Sequence, residues 1–341
     1  MRKIFRSVLL STVLIFSAIV CNPTKENNDS LSLLLLGALA SSSNSTEDLI
    51  CQNKTLNWTI QNPAADHSWI AVTYGDNKFV ALASNGANPA MTSPDGITWT
   101  AHPTPTPGSF VSLTYGNGLF VTVAPTAGTR VMSSPDGATW TDRNAAVLNT
   151  WSAVTFANGT FVAVSANGAN QAMTSPDGIT WTSRTMPTAM IAWQTLTYGN
   201  GIFVALSNNG KVITSPDGIT WTARNDVDAN NWSAVTYGNN NFVALSATGT
   251  NRVMTSSDGI TWTARSATEP NTWISLAYGG GLFVAISQDG NNRIMTSTDG
   301  INWTAQMTPA QKSWRSITYA NKKFVAVSFD SPSKVMTASC E

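Results

Sequence analysis

Six aspartates recur at a fixed spacing and are the first residues of this chain to consider for chemistry. They lie 40 or 41 residues apart, each within a Ser-x-Asp-Gly-x-x-Trp-Thr segment: Asp95, Asp136, Asp177, Asp217, Asp258 and Asp299. Carboxylates hydrolyse glycosidic bonds when two of them face one bond. A carboxylate that recurs together with its own turn is instead typical of a residue that accepts hydrogen bonds from backbone N–H groups. We therefore predict a structural role for all six aspartates.

Other residues suited to acid–base or metal chemistry are few. From residue 51 onward the only glutamates are Glu269 and Glu341, and the only histidines are His67 and His102. Neither histidine has Asp or Cys partners at a spacing suited to zinc, and we expect both in exposed loops. Residues 226–230 begin like a calcium loop but lack the glycine and the glutamate required at its sixth and twelfth positions. We predict a polar loop there, and neither a metal nor a cofactor for this chain.

Two sets of aromatic residues divide the chain into seven similar units. One set lies near the start of each unit, before the position of the aspartate turn, which the seventh unit lacks: Trp69, Phe110, Trp151, Trp193, Trp232, Trp273 and Trp314. The other set completes the turn segment or matches it: Trp58, Trp99, Trp140, Trp181, Trp221, Trp262 and Trp303. Within one unit, residues 69–100, four short β-rich runs are separated by Gly, Asn and Asp turns, which is typical of an antiparallel meander. We predict an all-β, seven-bladed β-propeller of four-stranded antiparallel blades, with an open solenoid as the alternative.

The aspartate turn and the Trp that follows it resemble the Asp-box (BNR) repeat of sialidase-like β-propellers, with one residue fewer between Asp and Trp. The resemblance covers about residues 56–340 and implies that the turn joins the third and fourth strands of a blade. The resemblance implies that a sialidase would also need an arginine cluster to bind a carboxylate, a Tyr paired with a Glu as the nucleophile, and an Asp as the general acid. Here all six tyrosines occupy one repeat position: Tyr74, Tyr115, Tyr198, Tyr237, Tyr278 and Tyr319. We predict no enzymatic activity and keep a sialidase-like glycoside hydrolase as an alternative.

The last unit lacks its fourth strand, and the N-terminal end of the repeat region supplies a match for it. Residues 56–59 align with residues 301–304, so we predict that the N-terminal strand completes the C-terminal blade and removes its open edge. The same alignment places Cys340 at the aspartate position and Cys51 just before the completing strand. We predict a disulfide between these cysteines, with two free neighbouring thiols as the alternative.

The N-terminus resembles an export signal. Basic residues and a short apolar run occupy residues 1–20, which we predict to be a signal peptide. Cys21 follows directly, as in a bacterial lipoprotein signal, which implies that Cys21 carries the lipid. We assign residues 21–50 to a lipidated N-terminus and flexible tether, and residues 51–341 to the propeller. The expected location is the bacterial cell envelope, on a membrane facing the periplasm or the outside, or secreted if Cys21 is not lipidated.

Basic residues concentrate at two positions of the repeat. The formal net charge is +0 and 11% of residues are charged, so we do not expect a nucleic-acid partner. One set of cations precedes the third strand and the other follows the Trp in the fourth strand, and we predict both on the face opposite the aspartates. This basic rim, our candidate ligand site, comprises Arg130, Lys211, Arg252, Arg293, Lys334, Arg143, Arg184, Arg224 and Arg265. A solvated rim without a ligand is the alternative.

The near-identity of the units favours a non-catalytic binding or scaffolding module. The blade-to-blade loops vary most and should contact a protein or a glycan: residues 103–109, 144–150, 185–192, 225–231 and 266–272. The alternative is a lectin for anionic glycans, in which the Trp residues of the first strands could hold sugars. We expect a monomer that meets the membrane only through its lipid anchor.

Overall fold

The computed structural model describes residues 50–52, 54–106, 110–126, 130–187 and 191–340. These residues belong to one compact unit, Ser45–Glu341. The predicted signal peptide, Cys21 and the tether up to residue 49 lie outside the described residues. In the described part of the chain, no helix is long and apolar enough to span a membrane.

The described strands form seven antiparallel sheets of four strands, which confirms the predicted propeller. Blade 1 contains β2 (Trp69–Gly75), β3 (Lys78–Ala83), β4 (Ala90–Ser93) and β5 (Thr100–His102). Blade 2 contains β6 (Ser112–Gly116), β7 (Leu119–Val123), β8 (Arg130–Ser134) and β9 (Thr141–Asn144). Blade 3 contains β10 (Trp151–Ala157), β11 (Thr160–Ser165), β12 (Ala172–Ser175) and β13 (Thr182–Arg184).

The remaining blades repeat this order. Blade 4 contains β14 (Trp193–Gly199), β15 (Ile202–Ser207), β16 (Val212–Ser215) and β17 (Thr222–Ala223). Blade 5 contains β18 (Trp232–Gly238), β19 (Asn241–Ser246), β20 (Val253–Ser256) and β21 (Thr263–Arg265). Blade 6 contains β22 (Trp273–Gly279), β23 (Leu282–Ser287), β24 (Ile294–Ser297) and β25 (Thr304–Gln306). Blade 7 contains β26 (Trp314–Ala320), β27 (Lys323–Ser328), β28 (Val335–Ser339) and the N-terminal β1 (Trp58–Gln61).

The core lies between blades rather than within them. In one cluster, Val204 and Leu206 of blade 4 pack against Trp232 and Phe242 of blade 5. The second strand of each blade is apolar on both faces because a neighbouring sheet covers each side, and Val204 is 0% exposed. Since one blade cannot bury these side chains alone, the fold requires the complete series of blades.

The first strand of most blades is bulged directly after its Trp. In blade 3, Trp151 pairs with Ser165 and Ala153 pairs with Val164, so Ser152 has no partner across the ladder. The same irregularity follows Trp69, Trp193, Trp232, Trp273 and Trp314. A bulge changes the direction in which the extra side chain points. These residues therefore do not follow the alternation of the strand.

The Ser-x-Asp-Gly turn links the third strand of a blade to its outer strand. In blade 1, the Oγ of Ser93 accepts the N–H of Gly96 at 2.8 Å, and the Oδ1 of Asp95 accepts those of Ile97 and Thr98 at 2.8 and 2.9 Å. Gly96 has a φ of 76°, which a residue with a side chain rarely adopts. Trp99 donates to the carbonyl of Gly96 at 3.1 Å and covers the turn. The turn is closed by its own side chains.

The ring closes through the N-terminal strand, as the alignment of the repeats predicts. β1 pairs with β28 in an antiparallel register from Trp58 opposite Ala338 to Gln61 opposite Val335. Cys51 and Cys340 form a disulfide with a Cα–Cα distance of 4.9 Å, and both residues are 0% exposed. The N–H of Cys51 also donates to the carbonyl of Gly280 in blade 6 at 2.8 Å. The start of the described chain is therefore attached to both of the last blades.

Candidate functional site

The two ends of the propeller carry different connections. We call the end with the Ser-x-Asp-Gly turns the turn face; it also carries the turns between first and second strands, because the strands of a blade alternate in direction. The opposite end, with the blade-to-blade loops and the turns between second and third strands, is the loop face. All six repeated aspartates lie on the turn face, and Cys51 lies beside the turn of blade 6 at the same end.

The repeated aspartates accept hydrogen bonds from the backbone N–H groups of their own turns. Burial acts to raise the pKa of Asp136, but hydrogen bonds from the backbone of Thr139 and Ala138, and from the hydroxyls of Ser134 and Thr139, outweigh it and lower this pKa to about 2. The pKa of Asp299 is lowered to about 2 in the same way, and those of the other four aspartates are lowered as well. A carboxyl that stays ionised far below neutral pH is a poor general acid.

The other candidates for acid–base chemistry are also bound into the framework. Glu269 accepts hydrogen bonds from the side chain and, at 3.3 Å, from the backbone N–H of Asn292. The expectation that both histidines lie in exposed loops is wrong for His102, which is half-buried in β5 with its Nε2 2.9 Å from the Oγ1 of Thr92. His67 does lie in a blade-to-blade loop, half-buried against Trp69. Within the described ranges, no group of three His, Cys, Asp or Glu side chains is arranged to hold a metal ion.

The Trp residues that begin the first strands are packing residues. Trp69, Trp151, Trp193, Trp273 and Trp314 are 0% exposed and Trp232 is 1% exposed. The indole N–H of several of them holds the preceding blade-to-blade loop, as in the 2.9 Å bond from Trp232 to the carbonyl of Asp228. Buried rings of this kind offer no stacking surface to a sugar.

The cations that precede the third strands make hydrogen bonds across the loop face. Nη1 of Arg252 donates to the carbonyls of Ala247 at 2.6 Å and Asn271 at 2.7 Å, which links the loop-face turn of blade 5 to the entry of blade 6. Arg130 makes equivalent bonds between blades 2 and 3. Arg293 donates to the carbonyls of its own turn, Lys211 pairs with Asp226, and Lys334 donates to the amide oxygen of Asn62.

The cations of the second set lie at the outer edge of the blades. The Nε atoms of Arg143, Arg184, Arg224 and Arg265 each donate to a hydroxyl on the third strand of the same blade, at 2.8 to 3.2 Å. His102 and Gln306 occupy the same position in blades 1 and 6 and make the same contact. All nine residues of the predicted rim are therefore bonded to other parts of the protein.

A cavity of about 500 Å³ opens at the centre of the loop face, and we call it the central mouth. Its lining residues come from blades 2 to 7, which only a cavity on the propeller axis permits. The lining includes the residue that follows the Trp (or Phe110) in each of these blades: Val111, Ser152, Gln194, Ser233, Ile274 and Arg315. These positions are equivalent in the repeat, but their side chains differ in size, polarity and charge. The mouth is thus where the near-identical blades become different.

Arg315 is the residue that the sequence analysis missed. It is the single charged residue among the described residues that line the mouth, and it is half-buried. Burial lowers the pKa of its guanidinium below the ordinary value for arginine. The sequence did contain a signal for this site. Each unit has a Trp or Phe at the start of its first strand, and the residue directly after it differs in type from one unit to the next.

Two further cavities lie under blade-to-blade loops. One of about 390 Å³ is bounded by Asp226, Val227 and Asp228 and by the rings of Trp232 and Trp262. The other, of about 460 Å³, lies between residues 102–105 and Trp140. In blade 4 the equivalent Trp221 is covered by Met186, which is 5% exposed. The two cavities therefore lie where a blade-to-blade loop leaves the outer-strand Trp of the following blade partly uncovered.

Comparison with known proteins supports the fold more than any activity. The model of a family described as the DUF6242 beta propeller domain matches residues 107–231 and, in a second match, 147–272. No curated protein sequence matches the chain.

Solved propellers are similar in structure at low sequence identity. Virginiamycin B lyase from Staphylococcus aureus is 15% identical, with a TM-score of 0.74 over 84% of this chain and 99% of that chain. YCF48 from Cyanidioschyzon merolae is 13% identical, with a TM-score of 0.63 over 83% and 98%. YCF48 bound to D1 peptide is 14% identical, with a TM-score of 0.64 over 87% and 99%. The fold is therefore shared by enzymes and by binding proteins.

Proposed function

We propose that this chain is a non-catalytic binding module that takes a protein partner on its loop face. The observation that carries the proposal is the high exposure of large apolar side chains there: Leu148 is 71% exposed and Met307 is 76% exposed, whereas the isoleucines of the turn face are 38–45% exposed. Phe329 is 42% exposed. Leu148 and Met307 lie in blade-to-blade loops, and Phe329 follows β27 in the loop-face turn of blade 7. Loops held by a rigid framework commonly carry recognition residues.

A protein partner fits these side chains better than a glycan does. Exposed aliphatic and thioether side chains bury well against another protein, and methionine adapts to irregular surfaces. A lectin would need exposed aromatic rings, whereas the Trp ring of the first strands is buried. The cations of the rim also already donate to carbonyls and hydroxyls of the chain. An anionic-glycan lectin remains the second candidate.

A catalytic role has less support from the residues of the repeat. Glycoside hydrolysis needs one carboxylic acid with a raised pKa near a second carboxylate. The repeated aspartates have lowered pKa values instead, and Glu269 is held by Asn292. Solved propellers of this fold include a lyase and also YCF48 bound to D1 peptide, so the fold itself is compatible with either function.

We also propose that the chain is exported and anchored to a membrane of the bacterial cell envelope through a lipid on Cys21. The segment that leads into the first strand lies at the turn face, where the N–H of Cys51 donates to the carbonyl of Gly280 at 2.8 Å. An attachment at this end leaves the loop face free for a partner. Replacing Cys21 by Ser should move the chain from the membrane fraction to the soluble fraction, and an unchanged distribution would contradict the anchor.

Site-specific photocrosslinking in the producing cells tests the binding face. A benzophenone amino acid would replace Leu148, Met307 or Phe329, one at a time, in the full-length chain. We expect a protein adduct of one mass from these loop-face positions. The matched controls are exposed isoleucines of the turn face, Ile179, Ile219 and Ile260, which should give no such adduct.

Binding to the purified partner then completes the test. The double variant Leu148→Asp and Met307→Asp should bind the isolated partner at least about tenfold more weakly, since burying a charge in an apolar contact is costly. Equal adducts from both faces would contradict the loop-face proposal. Binding to sulfated or sialylated glycans without protein adducts would favour the lectin, and turnover of a chromogenic glycoside would favour an enzyme.

A further inference from the structure

Among the arginines of the described residues, Arg315 differs from all the others. Seven of them donate to a hydroxyl or a carbonyl of the chain: Arg130, Arg143, Arg184, Arg224, Arg252, Arg265 and Arg293. The ion pairs of the described chain involve only lysines, and no acceptor among the described residues contacts the Arg315 guanidinium. Arg315 lines the central mouth, and none of its five side-chain N–H donors has a hydrogen-bond partner among the described residues.

The environment of Arg315 makes an unpaired charge costly. The side chain is half-buried, and desolvation lowers the pKa of its guanidinium. No carboxylate is present among the described residues that line the mouth, so its lining carries one positive charge. A desolvated cation without a counter-charge is stabilised when an anion binds beside it.

Amide groups near Arg315 are also available to a ligand. The side chains of Gln194, Asn231 and Gln288 line the same cavity and make no hydrogen bond to other described residues. By contrast, the hydroxyls of Ser152 and Ser233 each donate to the carbonyl of the next blade's Trp at 2.6 Å. The mouth therefore combines one cation with three free amide groups on a framework held by hydrogen bonds.

We infer that the central mouth binds a carboxylate group and that the Arg315 guanidinium is the residue that holds it. This inference rests on the proposed function, because the mouth lies in the middle of the proposed binding face. A single guanidinium fork matches the two oxygens of a carboxylate in one plane. A phosphate dianion would bring more negative charge than one arginine neutralises.

The size of the cavity indicates what the carboxylate belongs to. A volume of about 500 Å³ leaves room for a ligand larger than a small ion. Exposed Phe329 occupies in blade 7 the position that Ala166, Ala247 and Gln288 occupy in blades 3, 5 and 6, where these residues line the mouth, and its N–H donates to the carbonyl of Ser313 at 2.9 Å. A carboxylate attached to an apolar group fits this pair. The C-terminus of a partner protein and a free organic acid both have this chemistry.

Arginine Nε–Hε signals in an NMR spectrum of the full-length chain provide a direct test. Sodium acetate would replace sodium chloride at constant ionic strength, and Arg315→Gln would assign the signal. We expect the Arg315 signal to shift and saturate with a dissociation constant in the millimolar range. The Arg184 signal, from an outer-strand arginine bonded to Thr174, is the internal control and should not move. An Arg315 signal that moves no more than the Arg184 signal would overturn the inference.

Further arms separate charge from geometry. Sulfate that shifts the Arg315 signal as strongly as acetate would overturn the carboxylate assignment. Arg315→Lys keeps the charge but loses the planar fork, so it should bind acetate about tenfold more weakly. Arg315→Met should raise the melting temperature in chloride, because it removes an uncompensated half-buried charge. A lower melting temperature for Arg315→Met, with no acetate response in the parent chain, would show a structural arginine instead.

Short peptides distinguish the two sources of the carboxylate. A peptide that ends in an apolar residue and a free carboxylate should bind about tenfold more tightly than its amidated form if a protein C-terminus is the ligand. Acetate binding without any preference between the two peptides would assign the mouth to a free acid. If photocrosslinking at Leu148 persists in Arg315→Gln while acetate has no effect, the proposed protein-binding function stands and only the carboxylate site fails.

Discussion

Arginines of this propeller make two kinds of contact, and the two kinds follow the two positions that arginine occupies in the repeat. Arg252 donates from Nε to the carbonyl of Gly249 at 3.0 Å and from Nη1 to the carbonyls of Ala247 and Asn271. The Nε of Arg265 donates one hydrogen bond, to the hydroxyl of Thr255 at 3.2 Å. Both residues belong to the basic rim that the sequence predicts as a ligand site. Their contacts indicate that the first of them stabilises the junction between two blades.

This difference gives a prediction at the level of single residues. Arg252→Ala should lower the free energy of unfolding by about 1–2 kcal/mol, because three carbonyls lose a charged donor at a half-buried position. Arg265→Ala should lower it by about 0.5 kcal/mol or less, since one hydroxyl contact at the edge is lost. Urea unfolding followed by tryptophan fluorescence measures both values. Equal losses for the two variants would contradict a linking role for Arg252.

At the scale of elements, the Ser-x-Asp-Gly turn is repeated in six blades and depends on ionised carboxylates. Hydrogen bonds hold the pKa values of its aspartates below 3.8, and at about 2 for Asp136 and Asp299. A carboxyl with a lowered pKa in the folded state stabilises the fold above the unfolded-state pKa, and this contribution disappears as the pH falls through the folded-state pKa. The propeller should therefore lose stability between about pH 4 and pH 2.

A variant of one turn tests this pH dependence. Asp136→Asn removes the charge but keeps an oxygen that can accept from Ala138 and Thr139. We expect it to be less stable than the parent at pH 7, by about 1 kcal/mol, and the difference to shrink between pH 4 and pH 2. Asp299→Asn should behave in the same way. A difference that stays constant from pH 7 to pH 2 would show that the charge of the turn does not contribute.

Elements that repeat could be predicted from the sequence, and contacts between different blades could not. The Trp spacing and the match of residues 56–59 to residues 301–304 predicted the blades and the closing strand, because each unit must bury the same surface against its neighbour. Arg315 was missed because its position has no repeated residue type. The bonds of Arg252 were missed because its acceptor Asn271 lies 19 residues away, in the loop that enters the next blade.

At the scale of the whole molecule, closure depends on a strand pairing that no hairpin connects. β1 and β28 pair over four residues, and the disulfide joins positions separated by 289 residues. Cross-linking such distant positions restricts the unfolded chain, and loop entropy sets an upper limit of roughly 6 kcal/mol for the stabilisation. Losing this pairing would expose the edge of β28 and the core cluster that Cys51 and Cys340 share with Trp314 and Phe324.

Removing the disulfide should therefore weaken the propeller first at its junction. We expect Cys51→Ala with Cys340→Ala to lower the free energy of unfolding by about 2–4 kcal/mol, less than the entropic limit because β1 retains its backbone hydrogen bonds. Hydrogen exchange should accelerate most in β1 and β28, while β15 in blade 4 stays protected. Reductant should destabilise the parent chain and leave the double variant unchanged. Uniformly faster exchange in all blades would mean that the ring loosens as one unit rather than opening at β1, because each blade is stabilised only by its neighbours.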